Sequence, residues 1–269
     1  ARGAGVPYVI RPAGMLDPWC LAQKAWKKRL ALALGYRSML DHASFIHALN
    51  EDEKRLIEPL GFRCPVRVIS NGIFASEVAD LPMAGTFRAA HDLGPFVLFL
   101  SRLHFKKGLD LLAEAWAQVE TDHVLVVAGP DEGAQADFEA RVDRLGIRDR
   151  VRMVGPLYGR DKFAALVDAT CFCLPSRQEG FSLAITEALA TGTPCVITEG
   201  CHFPEVQEAG AGVVCPLDAG AVGAALSEVL ADATWRASMG EAARDLVLSR
   251  YTWPTIAARL DECYRASGA

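Results

Sequence analysis

No two of the eight cysteines stand at the Cys-x-x-Cys spacing, and no cluster of His, Cys and Asp has a metal-ligand spacing. Neither a ribbon-type zinc site nor a dithiol redox motif is therefore indicated. Long apolar runs are also missing: stretches such as Phe96–Leu100 are far too short to span a bilayer. Residues 1–5 lack the basic-then-apolar order of a secretory leader. There is no excess of positive charge, since 28 Lys and Arg face 33 Asp and Glu for a net charge of −5. This argues against a nucleic-acid partner, which selects a basic surface. The phosphate signature Gly-x4-Gly-Lys-Ser/Thr is absent, and no Gly-x-Gly-x-x-Gly follows a strand, which counts against a P-loop enzyme and a nicotinamide dehydrogenase. What is present is apolar material. With 51% hydrophobic residues in 269, the chain can bury a full core as one large or two modest domains. Cys171 and Cys173 fall in an apolar run and read as small buried hydrophobes of a reduced, cytoplasmic chain.

From Pro95 onward, strand and helix signals alternate. Phe96–Leu100 is followed by a helical pattern over 109–118, and Val124–Ala128 by one over 136–145. The run 151–154 leads to a helix over 161–168, and 170–174 to one over 182–191, stopped by Gly192 and Pro194. Cys195–Thr198 and Gly212–Cys215 read as two further strands. Repeated βα units predict a doubly wound parallel sheet of Rossmann-like α/β class, whose ligands lie beyond the carboxyl ends of the strands. Those ends carry Ser101-Arg102, Gly129-Pro130, Gly155-Pro156, Pro175-Ser176 and Thr198-Glu199.

The segment Pro175-Ser-Arg-Gln-Glu-Gly-Phe-Ser-Leu-Ala-Ile-Thr-Glu187 places Glu179 in a loop and Glu187 just over one turn into a nearly apolar helix. The amides of Gly180, Phe181, Ser182 and Leu183 lie at that helix's positive end, an arrangement suited to an anion. A carboxylate in so apolar a helix requires a partner. After the first strand of this series come Arg102 and then Lys106-Lys107-Gly108. A guanidinium and an ammonium one loop apart suit a diphosphate, although an isolated motif of this kind also reads as a solvated basic loop.

Taken together, Ser101-Arg102-Leu-His-Phe-Lys-Lys107-Gly108, Gly129-Pro130-Asp-Glu, the Glu179/Glu187 pair and Pro204-Glu205 resemble the retaining GT-B glycosyltransferases of family 4, in order and over essentially the whole chain. The resemblance implies a transferase acting on a nucleotide-diphosphate sugar, with no further cofactor and no metal, consistent with the lack of an Asp-x-Asp motif. It implies that Arg102 and Lys107 bind the diphosphate and that Glu179 contacts the donor sugar. Glu187 would accept from the ribose hydroxyls, Gly180, Phe181, Ser182 and Leu183 would lie against sugar and phosphate, and Gly155 and Leu157 would border the base. Ser182 departs from the glycine of many relatives, but serine is also a good N-cap. The implied acceptor is a glycan or a lipid-linked molecule. The same residues leave open a nucleotide-sugar-binding module without turnover, and a sugar-nucleotide epimerase of GT-B fold.

The resemblance divides the chain into a remnant of the acceptor domain (1–63), a nucleotide-sugar-binding domain (64–250) and a crossover helix (251–269), so that about one Rossmann-type domain of the family is lacking. In the remnant, Asp17-Pro18 reads as a helix start, and residues 19–34 mix Lys24, Lys27, Lys28 and Arg29 with Trp19, Trp26 and Leu30. Such a helix fits either the inner face of an anionic membrane or a domain surface with solvated lysines. Asn50-Glu-Asp-Glu53 reads as a capping box. His47 reads as structural, His202 stands near Pro204-Glu205, and His104 fits phosphate contact or simple exposure. The final helix is expected to have an exposed apolar face that promotes association. Oligomeric state, donor base and acceptor are not legible.

Overall fold

A computed structural model describes residues 5–268, apart from the side chain of Trp19. The leader reading made on residues 1–5 rests, apart from Gly5, on residues outside those described, as does the contribution of the Trp19 side chain. The chain forms two compact units, one comprising residues 1–72, 179–181 and 253–269, the other residues 73–178 and 182–252.

The first unit contains three short parallel strands, β1 (Val9–Ile10), β2 (Phe45–Ala48) and β3 (Val66–Val68), in the order β1-β2-β3. Because β3 pairs with β2, the unit runs to residue 72 rather than to 63. β2 is buried on both faces. Ile46 and Ala48 pack with Leu40 and Ile57, while Phe45 packs with Ile69 and Ile256. Ile256 belongs to the final helix, Trp253–Arg265, which thus covers the Phe45 face; the expected exposed apolar face is instead part of a core. The basic stretch is not one helix but two short ones, Pro18–Ala22 and Ala25–Ala31, followed by a distorted turn, Leu32–Tyr36. Lys24 with φ 50° and Gly35 with φ 126° interrupt it. The Asn50 cap forms: Asn50 Oδ1 accepts from the Glu53 amide at 2.7 Å. Glu53 reaches beyond a capping box, accepting from the Leu49 and Gly14 amides at 2.6 Å each, so one buried carboxylate fastens the loop after β1 to the end of β2.

The second unit is a six-stranded, all-parallel sheet. Its strands are β4 (Phe96–Leu100), β5 (Val124–Ala128), β6 (Val151–Gly155), β7 (Cys171–Leu174), β8 (Cys195–Thr198) and β9 (Gly212–Cys215), in the order β6-β5-β4-β7-β8-β9. The chain winds outward from β4 in one direction and from β7 in the other, the doubly wound arrangement with its switch point between β4 and β7. β4, β7 and β8 are apolar and buried throughout because helices cover both faces. Cys171 and Cys173 are fully buried, and burial pushes the Cys171 thiol up to about 12, consistent with an inert hydrophobe. The helices Leu109–Trp116, Gln135–Arg144, Gly159–Asp168 and Leu183–Ala190 follow the sequence pattern to within two residues. One contact is not legible in the sequence. Asp168 accepts from the amides of Gly85, Phe87 and Arg88 at 2.5, 2.8 and 3.0 Å, capping the helix Thr86–His91 from across the fold.

Candidate functional site

The loop after β4 carries Ser101 and Arg102, then a 3-10 turn, Phe105–Lys107. His104 Nδ1 accepts from the Lys106 amide at 3.1 Å, so one of its ring nitrogens is committed to capping this turn. Gly108 ends the turn with φ +70°, and a Cβ on it would lie 2.0 Å from the carbonyl oxygen of Pro175. Only glycine lets the loop after β4 approach the loop after β7 this closely. A second seam reinforces the approach. The Arg177 guanidinium makes two parallel bonds to Asp110, at 2.8 and 2.6 Å, donates to Phe105 O at 2.9 Å and lies 4.1 Å over the Phe105 ring. The Arg177 amide donates to Lys106 O at 2.7 Å, and Lys106 Nζ to Gln178 Oε1 at 2.9 Å. Burial alone would raise the Asp110 carboxyl, but the hydrogen bonds and charge of Arg177 outweigh it and hold Asp110 below the usual carboxylate range.

Against this frame Arg102 is 59% exposed and donates to Glu132 at 2.7 Å, while Lys107 is buried. Glu132 comes from the Gly129-Pro130-Asp-Glu segment after β5. There Asp131 caps the following helix by accepting from the Gly133, Ala134 and Gln135 amides. Gly155 ends β6 with φ +75°, and its carbonyl oxygen accepts from the Gly129 amide at 2.9 Å; Leu157 is half-buried two residues on. Ser182 caps the helix Leu183–Ala190, accepting from the Ile185 amide at 3.4 Å. Leu183 is exposed. Glu187 finds the partner that its apolar helix demands: Lys162, from the helix Gly159–Asp168, donates to Glu187 Oε1 at 2.7 Å. Burial is the largest influence on Glu187 and raises its carboxyl above the ordinary value; Lys162 opposes this and the charge of Glu77 adds to it.

Arg102, Lys107, Gly155, Leu157, Ser182, Leu183 and Glu187 all belong to the second unit, at the carboxyl ends of β4, β6 and β7. Glu179, Gly180 and Phe181 group with the first unit, where Asn50 Nδ2 donates to the Gly180 carbonyl at 2.9 Å and Glu179 is buried. Lys162, Arg177, Asp110 and Glu132 escape a reading of the sequence as site residues. Arg177 and Glu132 stand inside segments already singled out, whereas Lys162 offers only the signal of a lone lysine in the helix preceding β7. Among the described residues no group of three or more His, Cys, Asp or Glu could hold a metal ion, and no helix is long and apolar enough to cross a membrane.

Comparison with known proteins matches the description "Glycosyl transferases group 1" to residues 87–246 and "Glycosyl transferase 4-like domain" to residues 1–72. A glycogen synthase of Mycobacterium tuberculosis (strain ATCC 25618 / H37Rv) is 32% identical over 213 residues, covering 75% of this chain and 49% of the relative. The MMP alpha-(1->4)-mannosyltransferase of Mycolicibacterium hassiacum is 29% identical over 199 residues, covering 73% and 43%. The chain thus spans about half the length of the curated relatives it matches. Among solved structures, Anabaena HepE in complex with UDP is similar at a TM-score of 0.85 and 21% identity, covering 98% of this chain and 74% of that one. A sucrose-phosphate synthase from Thermosynechococcus elongatus is similar at 0.76 and 26% identity, covering 87% and 60%. The parallel α/β fold is that of the GT-B glycosyltransferases.

Proposed function

The chain belongs to the group 1 glycosyl transferases, and from that premise we propose that it binds a nucleotide-diphosphate sugar and transfers the sugar, with retention of configuration and without a metal, to a glycan or lipid-linked acceptor. One observation carries the reading. The loop bearing Arg102 and Lys107 follows β4 and the helix bearing Glu187 follows β7, the two strands that flank the switch point of the doubly wound sheet.

In this reading the donor diphosphate takes the place of Glu132 on Arg102, with Lys107 as its second cation. Glu187 accepts from the ribose hydroxyls, Gly155 and Leu157 border the base, and Glu179, Gly180, Phe181, Ser182 and Leu183 lie against the donor sugar and phosphate. Glu179 and Glu187 serve as binding groups rather than as an acid and nucleophile pair. The sugar–phosphate bond breaks on the face at which the acceptor oxygen attacks. The leaving diphosphate then takes the acceptor proton, while Arg102 and Lys107 stabilise the charge developing on it. Preorganised donors of this kind typically account for about 10²–10³ in rate each. The second unit forms the donor-binding part and the final helix, Trp253–Arg265, the crossover. The exposed Trp26, Leu30 and Leu34 beside Lys27, Lys28 and Arg29 support contact with the inner face of an anionic membrane from the cytoplasm.

The test is release of nucleoside diphosphate from UDP-, GDP- and ADP-sugars by the chain and by Arg102→Ala. Release from one donor, reduced about 10²–10³-fold by Arg102→Ala, is expected. Undiminished release by the variant removes the assignment of Arg102. Nucleotide binding without release from any donor points to a binding module, and interconversion of the free nucleotide sugar without acceptor points to an epimerase.

A further inference from the structure

The ion pair between Lys162 and Glu187 joins two helices that the sequence separates by a strand and a loop. It is among the best shielded on the protein, with the side chains 22% and 14% exposed. Pairs this far from solvent are screened less than surface pairs and fix geometry as well as charge. Lys162 donates to Oε1 only, and among the described residues none donates to Oε2. The carboxylate is therefore held at Oε1, with its Oε2 lone pairs uncommitted among the described residues. Hydroxyl donors need an ionised, oriented carboxylate to bind well.

We propose that Lys162 is a positioning residue of the donor site: by holding Glu187 Oε1 it keeps the carboxylate charged and turned so that its remaining lone pairs accept from the ribose hydroxyls of the nucleotide. The inference rests on the transferase reading above. The elements packed on the helix Leu183–Ala190 are β7, β8 and the helices Gly159–Asp168 and Ala233–Arg250. β7 and β8 contribute apolar side chains, cysteines and Thr198. From the helix Ala233–Arg250, Arg244 lies beside Gly192, past the C-terminal end. The charge of Glu77 also acts on Glu187, together with burial in favour of the protonated form. Lys162 is thus the group that counters both. Without it the Glu187 carboxyl moves further up and protonates within a range where the wild-type group is charged.

The experiment is calorimetric titration of the chain with UDP, GDP and ADP, then with the 2′-deoxy form of whichever binds, from about pH 9 down to about pH 5. It is run on wild type, Lys162→Met and Lys162→Arg, with circular-dichroism melts as a check on folding. Lys162→Met is expected to weaken the nucleotide about tenfold or more near neutral pH, the value of a hydrogen bond to a charged group. The deficit shrinks as pH rises, the preference for ribose over 2′-deoxyribose falls, and Lys162→Arg restores both. If Lys162→Met unfolds, Lys162→Gln, which keeps a neutral donor, is read in its place against the same outcomes. Wild-type affinity, pH profile and ribose preference in the variant overturn the proposal while leaving the transferase reading intact. Failure of the wild-type chain to bind any of the three nucleotides overturns that reading itself, and the inference with it.

Discussion

Replacing Gly108 by alanine tests whether the loops after β4 and β7 are held together by backbone contact. At φ +70° an added Cβ costs about 1–2 kcal/mol in conformational strain alone. It would also sit 2.0 Å from the Pro175 carbonyl oxygen, whereas real Cβ contacts stay beyond 3.0 Å. The two backbones must then separate by about 1 Å, an overpacking of the kind that typically costs about 1–3 kcal/mol. The sum is about 2–5 kcal/mol. Gly146 supplies the control: its φ is +68°, but an added Cβ meets nothing within 4 Å, so Gly146→Ala carries the strain without the overlap. The difference of about 1–3 kcal/mol corresponds to roughly 2–12 °C in Tm for a domain of this size. Thermal and urea unfolding of both variants measure it. Equal destabilisation by the two alanines refutes the close-approach argument, because strain alone would then explain both.

Other consequences follow from single contacts. Asp168→Asn leaves one oxygen where two now accept from three amides, and is expected to cost about 2–3 kcal/mol, read as a drop in urea midpoint at unchanged m-value. Arg177→Lys loses the bidentate geometry to Asp110 and the stacking on Phe105. A loss of about 1–3 kcal/mol is expected in wild type but little in an Asp110→Ala background, a coupling that a double-mutant cycle measures. His47 and His123 both have ring pKa values lowered, chiefly by burial, and His47 Nε2 donates to Ile69 O at 2.6 Å. The folded protein therefore resists protonating them while the unfolded chain takes protons near the ordinary value of about 6.5. Their contribution is fully present above that value and is lost as pH falls through it towards the depressed folded value. Chemical denaturation from about pH 7 to about pH 5 should show this slope, and His47→Gln with His123→Gln should flatten it; an unchanged slope contradicts the assignment.

The second unit was legible because its strands are uninterrupted apolar runs bounded by Gly and Pro turns, so periodicity alone marks Phe96–Leu100 and Val124–Ala128. β2 and β3 were not, since four and three residues carry too little pattern to separate a buried strand from a helix end. The candidate site could be placed at the level of loops, because strand ends converge on one edge of a parallel sheet whatever their detailed packing. Pairings were not legible. Glu187 announced its need for a partner through the apolarity around it, but Lys162 is 25 residues away and only the packing of the two helices brings it to 2.7 Å. His104, between Arg102 and Lys107, fitted phosphate contact or simple exposure, and nothing in the sequence signals that one ring nitrogen accepts from the amide two residues on. Arg177 reads as one more loop residue until the stacked Phe105 and the facing Asp110 are seen together.

The central claim is that the second unit holds a nucleotide diphosphate between the loop after β4 and the helix after β7. Calorimetric titration of the chain, of Arg102→Ala and of Glu187→Ala with UDP, GDP and ADP tests it most directly. The account predicts that one nucleotide binds, and that each variant weakens it about tenfold or more, Arg102→Ala through the phosphates and Glu187→Ala through the ribose. Binding of none of the three, or binding that both variants leave unchanged, contradicts it.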